Sequence, residues 1–403
     1  MPKWYHRASW ALAKGLYSPS LLKRCRVEAK GLECLPEPPF LLAGGHANFL
    51  DPFILGSLVR GPVRFMANLE GVSALGAAAA GLAGCYGRRK GASDICAMRR
   101  TFELAGAGES IGIFPEGDRS WDGAALSLRP GCGKLARRLG LPLVLAKQKG
   151  NYLARPRWAS RARRGRWSVE FLVFGADELS RLTDGIAEAI IAGALARDEI
   201  KDAQREGRRF EGELCAEGVG RLLWRCPVCG KTDCIEGRGE TIRCSRCLSR
   251  WELDANCRVR PLNAPPSIHA VEIGDLGDWH AWQVATLPEL ATGTERGRPA
   301  LRSEGVTLSE RSDGAARTMG KGVLFLEGSA SGAELVFEGP SARAVFEVRA
   351  VRGFVDNFNV FSEFDHRGHR WRLDFGGGNA AKWAYALSRS RALGLAGGPE
   401  EAA

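Results

Sequence analysis

The chain has 403 residues, 45% of them hydrophobic, and a formal net charge of +11. That length exceeds one ordinary domain and predicts two or three globular ones, while twelve cysteines are too dilute for a disulfide scaffold. The positive charge favours anionic partners, whether phospholipid surfaces, phosphorylated substrates or nucleic acid, without choosing among them.

The N-terminal "MPKWYHRASWALAKGLYSPSLLKRCRVEAK" spreads Lys and Arg throughout and has no apolar core ahead of a small-residue cleavage site. It does not read as a secretory signal, so a cytoplasmic protein is expected. The stretch is aromatic, basic and partly amphipathic, which suits a helix lying in a membrane interface. The longest weakly apolar run, "GVSALGAAAAGLAGCYG", is mostly Gly and Ala. It falls short of the roughly 20 strongly apolar residues of a spanning helix, so no transmembrane segment is expected. Through the first half, short apolar runs alternate with helical patterns. "PFLLAGG", "VRFMAN", "SIGIFPEG", "LPLVLAKQKG" and "RWSVEFLVFG" read as strands. "PFILGSLVR", "ICAMRRTFELAGAG" and "CGKLARRLG" read as helices, and "ADELSRLTDGIAEAIIAGALARDE" as one long helical segment. This alternation predicts an α/β fold, a mixed sheet with flanking helices, over residues 1–215.

Three polar clusters follow predicted strands. In "GGHANFLDPF", Asp51 and Pro52 look like an N-cap and first helical residue, so His46 sits on the loop entering that helix and can meet Asp51. A His near an Asp is either a satisfied polar pair or a base held by its acid, and the pair alone does not decide. "CYGRRKG" supplies Arg88 and Arg89, and "IFPEGDRS" supplies Glu116, Gly117, Asp118 and Arg119. "ARPRWASRARRGRW" then carries six arginines with Trp158 and Trp167 and no acid. It reads as a solvated loop, as a docking patch for anionic lipid, or as a nucleic-acid surface.

After a charged helical end or linker at 198–215 comes "CPVCGKTDCIEGRGETIRCSRC". Cys226 and Cys229, then Cys244 and Cys247, form two Cys-x-x-Cys knuckles able to supply four thiolates to one structural zinc, predicting a zinc ribbon at 216–260. Cys234 and Cys257 are alternative ligands. Four protein ligands leave no place for substrate, so this module supplies folding energy or a surface. From 261 to 403, "GVLFLEG", "AELVFEG", "RAVFEVRAV", "NFNVFSEF" and "HRWRLDFGG" are short apolar runs followed by the helical "NAAKWAYALSRSRAL". They predict a β-rich domain with a closing helix, a pattern shared with pleckstrin-homology-like barrels.

In combination and order, His46-x4-Asp51, an arginine block at Arg88, Phe114-Pro115-Glu116-Gly117-Asp118-Arg119-Ser120, and "GLPLVLA" around Pro142 resemble the glycerolipid acyltransferase family, typified by 1-acyl-sn-glycerol-3-phosphate acyltransferase. The likeness spans roughly residues 20–205. It departs at Asp118, where the family carries threonine, at the "CYG" before Arg88, and in lacking a second proline in the last block. The resemblance implies transfer of a fatty acyl group from acyl-CoA or acyl carrier protein to a lysophospholipid hydroxyl, most simply 1-acyl-glycerol-3-phosphate. His46 would be the base, Asp51 its orienting acid, and Arg88 and Arg119 clamps for the acceptor phosphate. Glu116 and Gly117 would lie at the acceptor site, with Glu116 either orienting an arginine or accepting from a glycerol hydroxyl. Such an enzyme would act at the inner face of a membrane. The alternative is a retired acyltransferase fold that binds nucleic acid or regulates through the arginine run and the zinc ribbon.

Overall fold

The structure, a computed structural model, describes residues 4–68, 84–88, 95–265, 271–287, 294–295, 298–299, 301–312, 315–329, 332–357, 361–376 and 378–392. It divides into two compact units, Met1–Arg157 with Arg161–Glu213, and Trp158–Ser160 with Leu214–Ala403.

The first unit is built on a seven-stranded mixed sheet. Its strands are β1 (Val27–Lys30), β2 (Leu41–Gly44), β3 (Val63–Asn68), β4 (Tyr86–Arg88), β5 (Ser110–Ile113), β6 (Leu143–Lys149) and β7 (Trp167–Phe174). The spatial order is β1-β7-β6-β2-β5-β3-β4. From β6 to β4 every neighbour is parallel; β7 runs antiparallel to β6 and carries β1 alongside. Every residue of β2 and of β5 is buried, the composition of central parallel strands covered on both faces. Alternation along these strands divides the core. Leu41, Ala43, Ile111, Ile113, Leu143 and Leu145 pack on one face with α5 (Cys132–Arg138) and α8 (Asp184–Leu195). Leu42, Val144 and Ala146 pack on the other with Ile54 and Leu55 of α3 (Asp51–Leu58). The parallel strands present their C-terminal ends at one edge, where such folds place their ligand sites. The loops after β2 and β5 both leave from that edge.

The remaining helices of this unit are α1 (Trp4–Leu16), α2 (Ser18–Arg24), α4 (Ile95–Gly106), α6 (Asn151–Ala154), α7 (Ala176–Ser180) and α9 (Glu199–Arg205). Three expectations change. The long helix expected across 176–199 is broken into α7, which stops at Ser180 with Arg181 as its C-cap, and α8, which Thr183 caps with its side chain accepting from Ile186 N–H. The short β1 and β4 were not anticipated. Most of the Gly/Ala-rich run lies outside the described residues. Among the described residues, no helix is long and apolar enough to cross a membrane.

In the second unit, four short strands, β8 (Ile235–Arg238), β9 (Thr241–Cys244), β10 (Arg250–Leu253) and β11 (Val259–Pro261), form an antiparallel sheet behind the cysteine knuckles. α10 (Leu276–Ala285) and a two-residue pair, β12 (Thr294–Glu295) with β13 (Arg298–Pro299), follow. A seven-stranded antiparallel sheet then comprises β14 (Arg302–Ser312), β15 (Ala315–Ser329), β16 (Gly332–Glu338), β17 (Arg343–Glu347), β18 (Val351–Asn357), β19 (Phe361–His366) and β20 (His369–Asp374). Its order, β17-β16-β15-β14-β20-β19-β18, joins two meanders by pairing the first strand with the last. Leu308, Leu324, Leu335, Phe337, Phe364 and Leu373 form its core, and Trp383 of α11 (Ala381–Ala392) packs into it.

Candidate active site

His46 lies two residues beyond β2. Its Nδ1 is 2.8 Å from Asp51 Oδ2. The backbone N–H groups of Ala47 and Asn48 donate to the same oxygen, both at 2.8 Å, and Asn151 Nδ2 donates to Oδ1 at 3.0 Å. Asp51 is wholly buried, and these donors satisfy a group that would otherwise be costly to remove from water. An acceptor-only carboxylate at this position puts the imidazole proton on Nδ1. Nε2 is thereby left with a lone pair, on a ring that is about one-fifth exposed at 19%. Asp51 was expected as the N-cap of its helix; instead it is the first helical residue, and its side chain turns back to the loop. Phe114, just past β5, stacks on His46 with centroids 4.1 Å apart and planes 17° apart, fixing the ring from the other side.

The "FPEGDRS" segment holds the backbone of the His46 loop. Glu116 accepts from His46 N–H at 2.9 Å, and Ser120 N–H donates to His46 O at 3.0 Å. Glu116 is also clamped end-on by Arg197, with Nη1 to Oε1 at 2.7 Å and Nη2 to Oε2 at 2.9 Å. Leu126 N–H donates to Oε2, and Arg197 Nη2 reaches His46 O at 3.2 Å. Both side chains are almost completely buried, at 1% and 4% exposed. Of the two roles open for Glu116, these contacts match orienting an arginine. Gly45 allows the arrangement, since a Cβ there would sit 2.5 Å from Arg197 Nη1. Gly117 has φ +72°, and a Cβ on it would meet Arg129 Nε at 2.7 Å, so it serves the turn itself.

Asp118 and Arg119 complete the segment. The Asp118 carboxylate lies 3.2 Å from Arg157 Nη1, and the Arg157 guanidinium covers the Trp121 ring at 4.2 Å while donating to Arg119 O. The negative charge that departs from the family pattern therefore has a buried counter-charge. Ser120 is buried, its Oγ donating to Asp122 and accepting from Gly123 N–H, which leaves it no part as a nucleophile. Arg119 is half-buried beside this segment. The backbone of Arg88 ends β4 opposite Asn68; its side chain, and all of Arg89, lie outside the described residues.

Residues 26–145 match a family model described as Acyltransferase. His46, Asp51, Arg88, Glu116, Gly117 and Arg119 all fall inside it, whereas Asn151 and Arg197, which close the site, lie past its end. Among solved structures, the 1-acyl-sn-glycerophosphate (LPA) acyltransferase PlsC from Thermotoga maritima is similar, at 18% identity and a TM-score of 0.36, over 46% of this chain and 81% of that one. No curated protein matches the chain. Asn151 and Arg197 were not singled out from sequence, because neither belongs to a local pattern; only the "LARDE" at the end of α8 marked an arginine there.

The basic segment differs from expectation. Trp158 and Trp167 are fully buried, and Arg157 and Arg163 are buried as well. They are neither interfacial anchors nor stacking surfaces for bases, and only Arg155, Arg161, Arg164 and Arg166 remain exposed. In the second unit, the thiols of Cys226, Cys229, Cys244 and Cys247 all lie within 4.8 Å of one another, a set able to hold one metal ion. Cys234 is buried beside them, its sulfur 3.5 Å from that of Cys244. Cys257 is buried and is not part of the set.

Proposed function

We propose that the chain is a glycerolipid O-acyltransferase that moves a fatty acyl group from acyl-CoA or acyl carrier protein to a lysophospholipid hydroxyl, with 1-acyl-glycerol-3-phosphate as acceptor and phosphatidic acid as product. The observation that carries this reading is the His46–Asp51 pair at 2.8 Å inside the residues that match the acyltransferase model, with Nε2 left available. Nε2 accepts the proton of the acceptor hydroxyl as its oxygen attacks the thioester carbonyl. Asp51 stabilises the imidazolium that forms, and the tetrahedral intermediate collapses by expelling the thiolate, which takes the proton back from His46. The thioester is already activated, so no acyl-enzyme is required. Arg119 and Arg88 are the proposed clamps for the acceptor phosphate.

Two further parts belong to this reading. The four-thiol set suits zinc: ligands at about 2.3 Å in a tetrahedron stand about 3.8 Å apart, and the Cys226–Cys247 and Cys229–Cys244 sulfurs stand 3.7 and 3.8 Å apart. A zinc there would be structural. Helix α1 supports peripheral attachment to an anionic membrane, because it is inverted. Lys14 turns inward to cap α3 through Ser57 O and Val59 O, while Trp4, Leu12 and Leu16 face out. Phe49 and Phe53, three and seven residues past His46, are exposed beside one another. The strand order of the large antiparallel sheet with its final helix supports the pleckstrin-homology-like reading of the C-terminal part.

The test is a mass-spectrometric assay offering labelled acyl-CoA with a panel of lysophospholipids to wild type and His46→Ala. Loss of about 10²- to 10⁴-fold in turnover is expected. Unchanged turnover in a folded variant refutes the assignment.

A further inference from the structure

A cavity of about 180 Å³ lies alongside the His46 loop, lined by Gly45, Lys147 and Lys149 of β6, Arg197 and Asp202. Three of these side chains are cations and one is an anion. Asp202 is already engaged, by Arg205 and by Asp198 N–H, and Lys149 is paired with Glu206. Gln148, which also lines the cavity, spends its amide on Gly45 O and Trp167 Nε1. Two donors are left. The Lys147 ammonium has no hydrogen-bond or ion-pair partner among the described residues. Arg197 commits Nη1 and Nη2 to Glu116 and His46 O, yet its Nε is buried with no acceptor on a side chain only 4% exposed. A buried guanidinium N–H without an acceptor is an unusual feature, and an ammonium lining the same cavity makes the missing partner an anion.

We propose that this cavity binds a phosphate-class anion between Lys147 Nζ and Arg197 Nε. Its volume is below the roughly 300 Å³ at which pockets for whole small molecules begin, so it admits a phosphate group and excludes a lipid or a nucleotide entire. The anion fills the fifth donor of the arginine whose other nitrogens hold Glu116 and the carbonyl of His46, and so fixes the loop that carries the base. The phosphate belongs to the acyl donor, to the acceptor, or to free inorganic phosphate. The site stands independently of the acyl-transfer reading; only the first two sources rest on it.

Calorimetric titration of the full chain with inorganic phosphate tests this without any turnover. Wild type is expected to show saturable binding that weakens tenfold or more in Lys147→Gln and returns in Lys147→Arg, with near-ultraviolet dichroism confirming that both variants fold. Displacement of the bound phosphate by coenzyme A assigns the site to the donor, displacement by lysophosphatidate assigns it to the acceptor in place of the Arg88 and Arg119 clamp, and displacement by neither assigns it to free phosphate. Absence of saturable binding, or the same dissociation constant in Lys147→Gln, overturns the proposal. Binding that depends on Lys147 in a protein without acyl transfer keeps the site and removes the enzyme.

Discussion

Around Cys226, four thiols within 22 residues of sequence converge on one point, and every ligand a tetrahedral ion needs comes from the protein. Around His46, groups drawn from residues 46 to 197 lean on one imidazole and leave its outer nitrogen open. The first arrangement is closed and suits a structural ion; the second is open on one side and suits turnover. The two also differ in what supports them. The knuckles are held by local turns, with Gly230 N–H donating to Cys226 O and Leu248 N–H to Cys244 O. The His46 loop is held by buried charge, a carboxylate and a guanidinium removed from water together.

The comparison breaks most visibly if metal removal spares the second unit. Structural zinc contributes about 10–16 kcal/mol to folding in small domains. A chelator, or Cys226→Ser, is therefore expected to abolish the thermal transition of residues 214–403, followed by dichroism; an unshifted transition shows that the thiols hold no structural ion. The next largest effect falls on the open site. Asp51→Asn offers an amide where Nδ1–H needs an acceptor and favours the wrong tautomer, so turnover should drop about 10²- to 10⁴-fold, with substrate KM little changed. A loss confined to KM would show that Asp51 does not orient the base.

Arg197→Met isolates the support from the chemistry. It leaves the Glu116 carboxylate buried without its partner, which costs about 3–5 kcal/mol of stability in a chemical-denaturation experiment. The double variant Arg197→Met with Glu116→Leu should recover much of that stability and none of the activity. Recovery of both would mean that the pair does not hold the loop.

The smallest effect concerns a second buried carboxylate on α9. Burial raises the Glu199 pKa to about 7, against opposing contributions from Arg208, whose Nη1 is 3.6 Å away, and from Gly150 N–H. Between the unfolded value, near 4.5, and 7 the folded state holds a proton that the unfolded state has lost, so stability falls as pH rises through this window. The full effect is of order 3 kcal/mol. Glu199→Gln is expected to gain stability relative to wild type between pH 5 and pH 8; a difference independent of pH would mean that Glu199 is ionised throughout.

Much of this was legible in the chain, for identifiable reasons. The cysteine knuckles, the alternation of strand and helix, and the His46-x4-Asp51 spacing are local, and a local pattern survives without knowledge of the fold. The runs holding "LLAG" and "SIGI" read as strands in the chain, and their burial on both faces of the sheet accounts for that composition. The break between Ser180 and Asp184 was hidden because the apolar period runs on through it, and the Thr183 hydroxyl's bond to Ile186 N–H marks where the second helix begins.

What the tertiary structure alone decided are the pairings between distant residues. Asn151 with Asp51, Arg197 with Glu116, and Arg157 with Asp118 are separated by 100, 81 and 39 positions, and no period or spacing rule links them. The arginine-rich segment shows the limit most clearly. By composition it is a solvated cationic loop, yet two of its arginines and both tryptophans are buried; for Arg157, Asp118 supplies the carboxylate, Arg119 the carbonyl and Trp121 the ring face. Sequence marked His46 and Asp51 as candidates by their spacing; packing decided which charges around them are spent on holding the fold and which nitrogen of His46 is left without a partner.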